Sequence, residues 1–147
     1  IIFATYKYFK PKALIPKGDD IELRLNVTQT YENNFGKTVT VPIDLTSFAG
    51  YIVILYSEED PDTIIDKFSL NALAGYGDIE VIDAVNGVIQ VNIDKAKTAA
   101  APDGMVYGLI KTRLVNADFS DSIQLTTSAF PVDRIVTTIA TNIVPPA

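Results

Sequence analysis

The densest group of side chains able to do chemistry is Ser57-Glu58-Glu59-Asp60-Pro61-Asp62, with four carboxylates in five consecutive positions. A loop of adjacent acids can offer Ca²⁺ several of the roughly six to eight oxygens it takes. The spacing lacks the D-x-D-x-D-G order of a dedicated calcium loop, so the segment reads as a solvated acidic turn. Paired carboxylates also run glycoside hydrolysis, but only when held across a cleft about 5–9 Å apart. With 18 Asp and Glu in the chain, some pair is inevitable and carries no signal. The serines at 47, 57, 69, 120, 122 and 128 lack a G-x-S-x-G context.

The chain has neither histidine nor cysteine. That removes the usual general base, the imidazole that activates a serine, the thiolate nucleophile, disulfides and the common transition-metal ligands. Gly75-Tyr76-Gly77 lacks the further glycines, lysine and following helix of a phosphate loop. Asn26-Val27-Thr28 matches the glycosylation sequon but lies on a predicted strand, where chance explains it. The expectation is a protein without catalysis, cofactor, metal or small-molecule substrate.

A second group with chemical potential lies in the first residues. Phe3, Tyr6, Tyr8 and Phe9 interleave with Lys7 and Lys10. Aromatic rings beside cations can stack nucleic-acid bases or anchor a segment in a protein groove. Residues 1–18 hold four lysines and no acid, leaving 8 basic against 18 acidic residues elsewhere. A body that acidic repels a phosphate backbone, so these six residues are read as partner-binding, within or between subunits.

The elements that must carry these groups are strands. Ile21, Leu23, Leu25 and Val27 alternate with Glu22, Arg24, Asn26 and Thr28, the period of a half-buried strand. Tyr51–Tyr56 is a continuous apolar run, predicted as a central strand covered on both faces. Asn86-Gly87 predicts a hairpin with a type I′ turn. Lys95–Ala101 is helix-prone and stops at Pro102; Met105–Val115 is a long strand. Strands are also predicted at Thr38–Ile43, Ser122–Ser128 and Arg134–Ile139, with a polar loop at Tyr31–Lys37 and a break at Pro131. At 147 residues this is one domain, an all-β, Ig-like antiparallel sandwich with one short helical turn. The divisions are an extended arm at 1–17, the sandwich at 18–139 and a tail at 140–147. Residues 1–16 and 140–147 are expected to hold the protein to neighbours. No stretch of about 20 apolar residues predicts a membrane helix.

Three segments carry a family likeness. Lys17-Gly18-Asp19-Asp20-Ile21-Glu22-Leu23 resembles an opening "G-D-x-φ-x-φ" strand. Val41–Val53 is similar to a "P-V-D-L-T-G-x-x-φ" segment. Asn86–Leu109 runs as turn, strand, Ala-rich helical turn, Pro-x-Gly loop and strand. In this order they resemble the Ig-like domains of bacteriophage virion proteins, at the N-terminus of baseplate upper proteins and in related tail and fibre modules. The resemblance implies a non-enzymatic structural protein of tail, baseplate, head-fibre adaptor or capsid decoration. It also implies localisation in the virion after assembly in the host bacterial cytoplasm, with other virion proteins and copies of itself as partners. The alternative class is a bacterial surface adhesin or carbohydrate-binding sandwich, against which stands the absence of tryptophan.

Overall fold

The computed structural model describes residues 3–8, as backbone, and 14–137. In chain order the strands are β1 (Phe3–Tyr8), β2 (Ile15–Pro16), β3 (Ile21–Glu32), β4 (Thr38–Pro42), β5 (Phe48–Ser57) and β6 (Ile64–Ser69). They continue with β7 (Gly77–Asp78), β8 (Glu80–Asp83), β9 (Val88–Ile93), β10 (Gly104–Val115) and β11 (Ile123–Val136). Among the described residues, helix is confined to a 3₁₀ turn at Leu45–Ser47 and to α1 (Lys95–Ala100).

The strands form two sheets. One runs β1-β3-β9-β8, with β4 also on β3. Because β1 takes residues 25–30 of β3, β9 (on 21–26) and β4 (on 28–32) share its other edge end to end. The other sheet runs β2-β11-β10-β5-β6-β7. This is the Ig order, A-B-E-D facing G-F-C, with β6 widening the second sheet as in variable-type domains. The expected all-β, Ig-like sandwich is therefore the observed one. Leu23, Leu25, Val27, Ile89 and Val91 from the first sheet meet Val53, Leu55, Val106, Ile110 and Val132 from the second. Aliphatic packing replaces the disulfide and tryptophan of antibody domains. Phe130 lies over Gly108, where an added Cβ would sit 2.2 Å from the ring.

Helix α1 forms where it was predicted. The Asp94 carboxylate caps it by accepting from the Ala96 N–H at 2.9 Å, and Ala101 leaves the helix ahead of Pro102. Thr98, almost fully buried, ties this crossover to the entry of β3. Its hydroxyl accepts from the Gly18 N–H (3.0 Å) and donates to the Asp19 carbonyl (2.8 Å).

Four expectations need correction. β3 runs through Glu32, two residues into the loop expected at Tyr31–Lys37, because β4 pairs with it as far as Glu32↔Thr38. β11 is one strand from Ile123 to Val136, although Pro131 was read as a break. Pro131 is tolerated because, among the described residues, β2 pairs only at Ile135 and Val136, and the β10 register shifts opposite it, between Met105 and Tyr107. The hairpin at Asn86-Gly87 forms, but not with a type I′ turn: Gly87 has φ +70°, whereas Asn86 has no positive φ. The Asp83 carboxylate instead accepts from the Asn86 N–H and side-chain amide (3.3 and 2.7 Å). Finally, β5 is central but buried on one face only: Tyr51, Val53 and Leu55 point inward, while Ile52, Ile54 and Tyr56 stay half-buried.

Candidate interaction surface

The half-buried side of β5 belongs to the outer face of the six-stranded sheet. Registers place Tyr56 beside Tyr107, Ile54 beside Leu109 and Ile52 beside Lys111. The two tyrosine rings stack with centroids 6.2 Å apart. On β10 the outward positions are Met105, Tyr107, Leu109, Lys111 and Arg113, apolar at one end and basic at the other. Leu125 lies opposite Arg113 on β11 and is 59% exposed. The apolar side chains on the outer side of the two central strands are half-buried and form the candidate contact surface.

At the basic end the face sinks into a cleft of about 260 Å³, lined by Gly50, Ile52, Leu73, Lys111, Arg113 and Leu125 among others. Its wall is the segment after β6, which folds back over the end of β5. The Leu70 N–H donates to the Tyr51 carbonyl (3.1 Å), and the Asn71 amide reaches the Ala49 carbonyl (3.4 Å). The Ser69 hydroxyl donates to the Asn71 carbonyl (2.6 Å), and Lys67 sits 4.7 Å above the Tyr76 ring. Gly75-Tyr76-Gly77 belongs to the same loop but does not line the cleft. Among the described residues, no ion pair reaches Lys111 or Arg113. A cleft with an apolar floor and two unpaired cations suits a ligand that brings both carboxylate and apolar surface.

Comparison with protein-family models, curated proteins and solved structures gives no match.

The acidic loop lies at the opposite end of β5, whose last residue, Ser57, pairs with Val106. Glu58 to Asp62 are all exposed. The loop is held by Asp60, whose carboxylate accepts from the Asp62 N–H (3.2 Å) and the Thr63 hydroxyl (2.6 Å). The Glu58 N–H donates to the Met105 carbonyl (2.9 Å). Among the described residues no three carboxylates gather to hold a metal ion. Ser57 Oγ is buried without a hydrogen-bond partner, so it is not poised by a base.

Of the arm residues singled out by sequence, Phe3, Tyr6, Lys7 and Tyr8 fall on β1, which pairs along β3 from Tyr8↔Leu25 to Phe3↔Thr30. Residues 3–8 are thus an edge strand of the chain's own sheet. Phe9 and Lys10 lie outside the described residues, as does the tail at 140–147. A second cleft, about 550 Å³, opens between the sheets where the inward residues of β10 and β11 turn polar, with Thr112, Thr126 and Ser128 facing Gln29 and Phe48. The Thr112 and Thr126 hydroxyls bond to each other there. No helix among the described residues is long and apolar enough to cross a membrane.

Sequence reasoning missed the outer face and its cleft. The signal was present in the unbroken run at 51–56, which was assigned to cover on both sides. An apolar run across a strand covered on one side only leaves apolar side chains on its second face.

Proposed function

We propose that the chain is a non-enzymatic structural protein of a bacteriophage virion, acting through contacts with other virion proteins and with copies of itself. Tail, baseplate, head-fibre adaptor and capsid decoration are the positions this reading admits. One observation carries the contact function: Ile52, Ile54, Tyr56, Tyr107 and Leu109 sit side by side on the outer face of the central strands. Aromatic and aliphatic groups so placed gain free energy by being covered. The order of the three motif segments supports the virion setting, and the lack of histidine and cysteine supports a role without catalysis.

Antibody against the chain, applied to purified particles and viewed by negative stain, tests this reading. Regular labelling at one part of the particle is expected. Unlabelled particles, with the chain retained instead on host-surface glycan, would replace it with the adhesin reading.

A further inference from the structure

Two places on the six-stranded sheet carry unlike local charge, although Asp78, Asp118 and Asp121 lie near the first and Arg134 near the second. One end holds Lys111 and Arg113 at the mouth of an apolar cleft, with Leu73 and Leu125 each at least half exposed. The other end holds Glu58, Glu59, Asp60 and Asp62, with Pro61 and the 51%-exposed Ile64 beside them. The seven-residue rise from Gly50 to Ser57 separates these ends by about 23 Å, so the loop's acids do not reach Lys111 and Arg113 of their own chain, and no acid lines the cleft itself. Both ends are shaped in advance. Asp60 fixes the acidic loop, and the Leu70–Tyr51 and Asn71–Ala49 bonds fix the cleft wall. Preorganised surfaces lose little freedom on docking.

We infer that the acidic loop of one copy docks in the basic cleft of the next, so that the protein associates with itself head to tail. Glu58 and Asp62 meet Lys111 and Arg113, while Pro61 and Ile64 cover Leu73 and Leu125. Loop and cleft are different patches, so the contact is heterologous and repeats into a closed ring or an open filament. The inference rests on the assembly reading of the chain and names the partner as a second copy. Its charge content makes it salt-dependent, because exposed pairs are screened beyond about 10 Å at 0.1 M ionic strength.

Sedimentation velocity of the full chain over a concentration series, in about 20 mM and about 500 mM salt, tests it. Two variants accompany the wild type: Lys111→Glu with Arg113→Glu, and Glu58→Lys with Asp62→Lys. Glu59, whose stem packs at Gly104, and Asp60, which holds the loop, are left unchanged. All four replaced side chains are exposed, and melting curves check that each variant folds. Wild type is expected to associate, about tenfold or more weakly at high salt. Each variant alone should be monomeric, because like charges then face each other. An equimolar mixture of the two should associate again, since each supplies the charge the other has reversed. A wild type that stays monomeric at low salt, association surviving either reversal, or a mixture that stays monomeric overturns the inference. A monomeric wild type that still labels particles removes the head-to-tail contact and leaves the assembly reading standing. Association without labelled particles does the reverse.

Discussion

Replacing Gly87 by alanine should cost about 3–6 kcal/mol of stability, and replacing Gly36 only about 1–2 kcal/mol. The two glycines share a backbone conformation, φ +70° and +73°. A side chain in that region costs about 1–2 kcal/mol at either site. Their surroundings differ. A Cβ on Gly87 would lie 2.4 Å from the Val27 carbonyl oxygen and 2.8 Å from that of Ile43. Both are backbone atoms, Val27 in β3 and Ile43 just past β4 with its N–H bonded to the Val27 carbonyl (3.0 Å), and cannot swing aside. A Cβ on Gly36 meets only the end of the Glu32 side chain, at 3.5 Å. Relieving the Gly87 overlap requires the turn to withdraw, which strains the bond from the Val27 N–H to the Gly87 carbonyl (2.8 Å). Overpacking adds about 1–3 kcal/mol and the lost hydrogen bond about 1 kcal/mol. Urea unfolding reads both variants against wild type, as midpoint shifts at unchanged slope. Equal losses would refute the reasoning, because crowding of Gly87 by the backbone of β3 and Ile43 would then have no energetic weight.

Thr98→Val keeps the shape of a buried side chain but strands the Gly18 N–H and Asp19 carbonyl, so a loss of about 2–4 kcal/mol is expected in the same assay. Asp103 accepts from Lys17 and Thr137, and these bonds hold its carboxyl below the usual carboxylate range. Its stabilising effect is therefore complete above the ordinary Asp value and lost as pH falls through the lowered one; Asp103→Asn should flatten that acid limb of a stability–pH curve. Burial raises the carboxyl of Asp66, so its stabilising effect is present below the ordinary Asp value and lost as pH rises through the raised one. Asp66→Asn should accordingly shift the urea midpoint upward at pH 7 and leave it unchanged in strong acid. Millimolar Ca²⁺ should leave the melting temperature within the equivalent of a few tenths of a kcal/mol, because Asp60 already serves its own loop; a chelator-reversible gain above about 2 kcal/mol would show a metal site.

The parts of the fold that show in the sequence are those where local chemistry and burial agree. Leu23, Leu25 and Val27 alternate with polar neighbours because only one face of β3 is buried, so the period is visible. The Ala-rich crossover shows because Asp94 caps it and Pro102 ends it. β5 hides its period, since Ile52 and Ile54 on the outer face are as apolar as Val53 and Leu55 on the inner one. Pro131 reads as a stop because sequence does not reveal that, among the described residues, β11 has only β10 beside it there. The cleft was beyond sequence for a different reason. Lys111 and Arg113 alternate on β10, but Gly50, Leu73 and Leu125 reach them only through strand order and register.

The pairing of β2 with β11 has a mechanical meaning. The two strands run parallel, Ile15↔Ile135 and Val136↔Pro16, and the Lys17 N–H adds a bond to the Val136 carbonyl at 3.1 Å. Asp103 bolts the same spot by binding the Lys17 ammonium (2.9 Å) and the Thr137 hydroxyl (2.8 Å). Tension that draws the chain apart from its two ends pulls these parallel strands in opposite directions along their length. The bonds between them are then loaded together, in shear, and must yield as a set. Peeling an antiparallel hairpin would break them one after another. Once β1 has been drawn off β3, a short patch of three residues and one carboxylate thus carries the load, and Asp103→Asn would lower the force it withstands without touching the core.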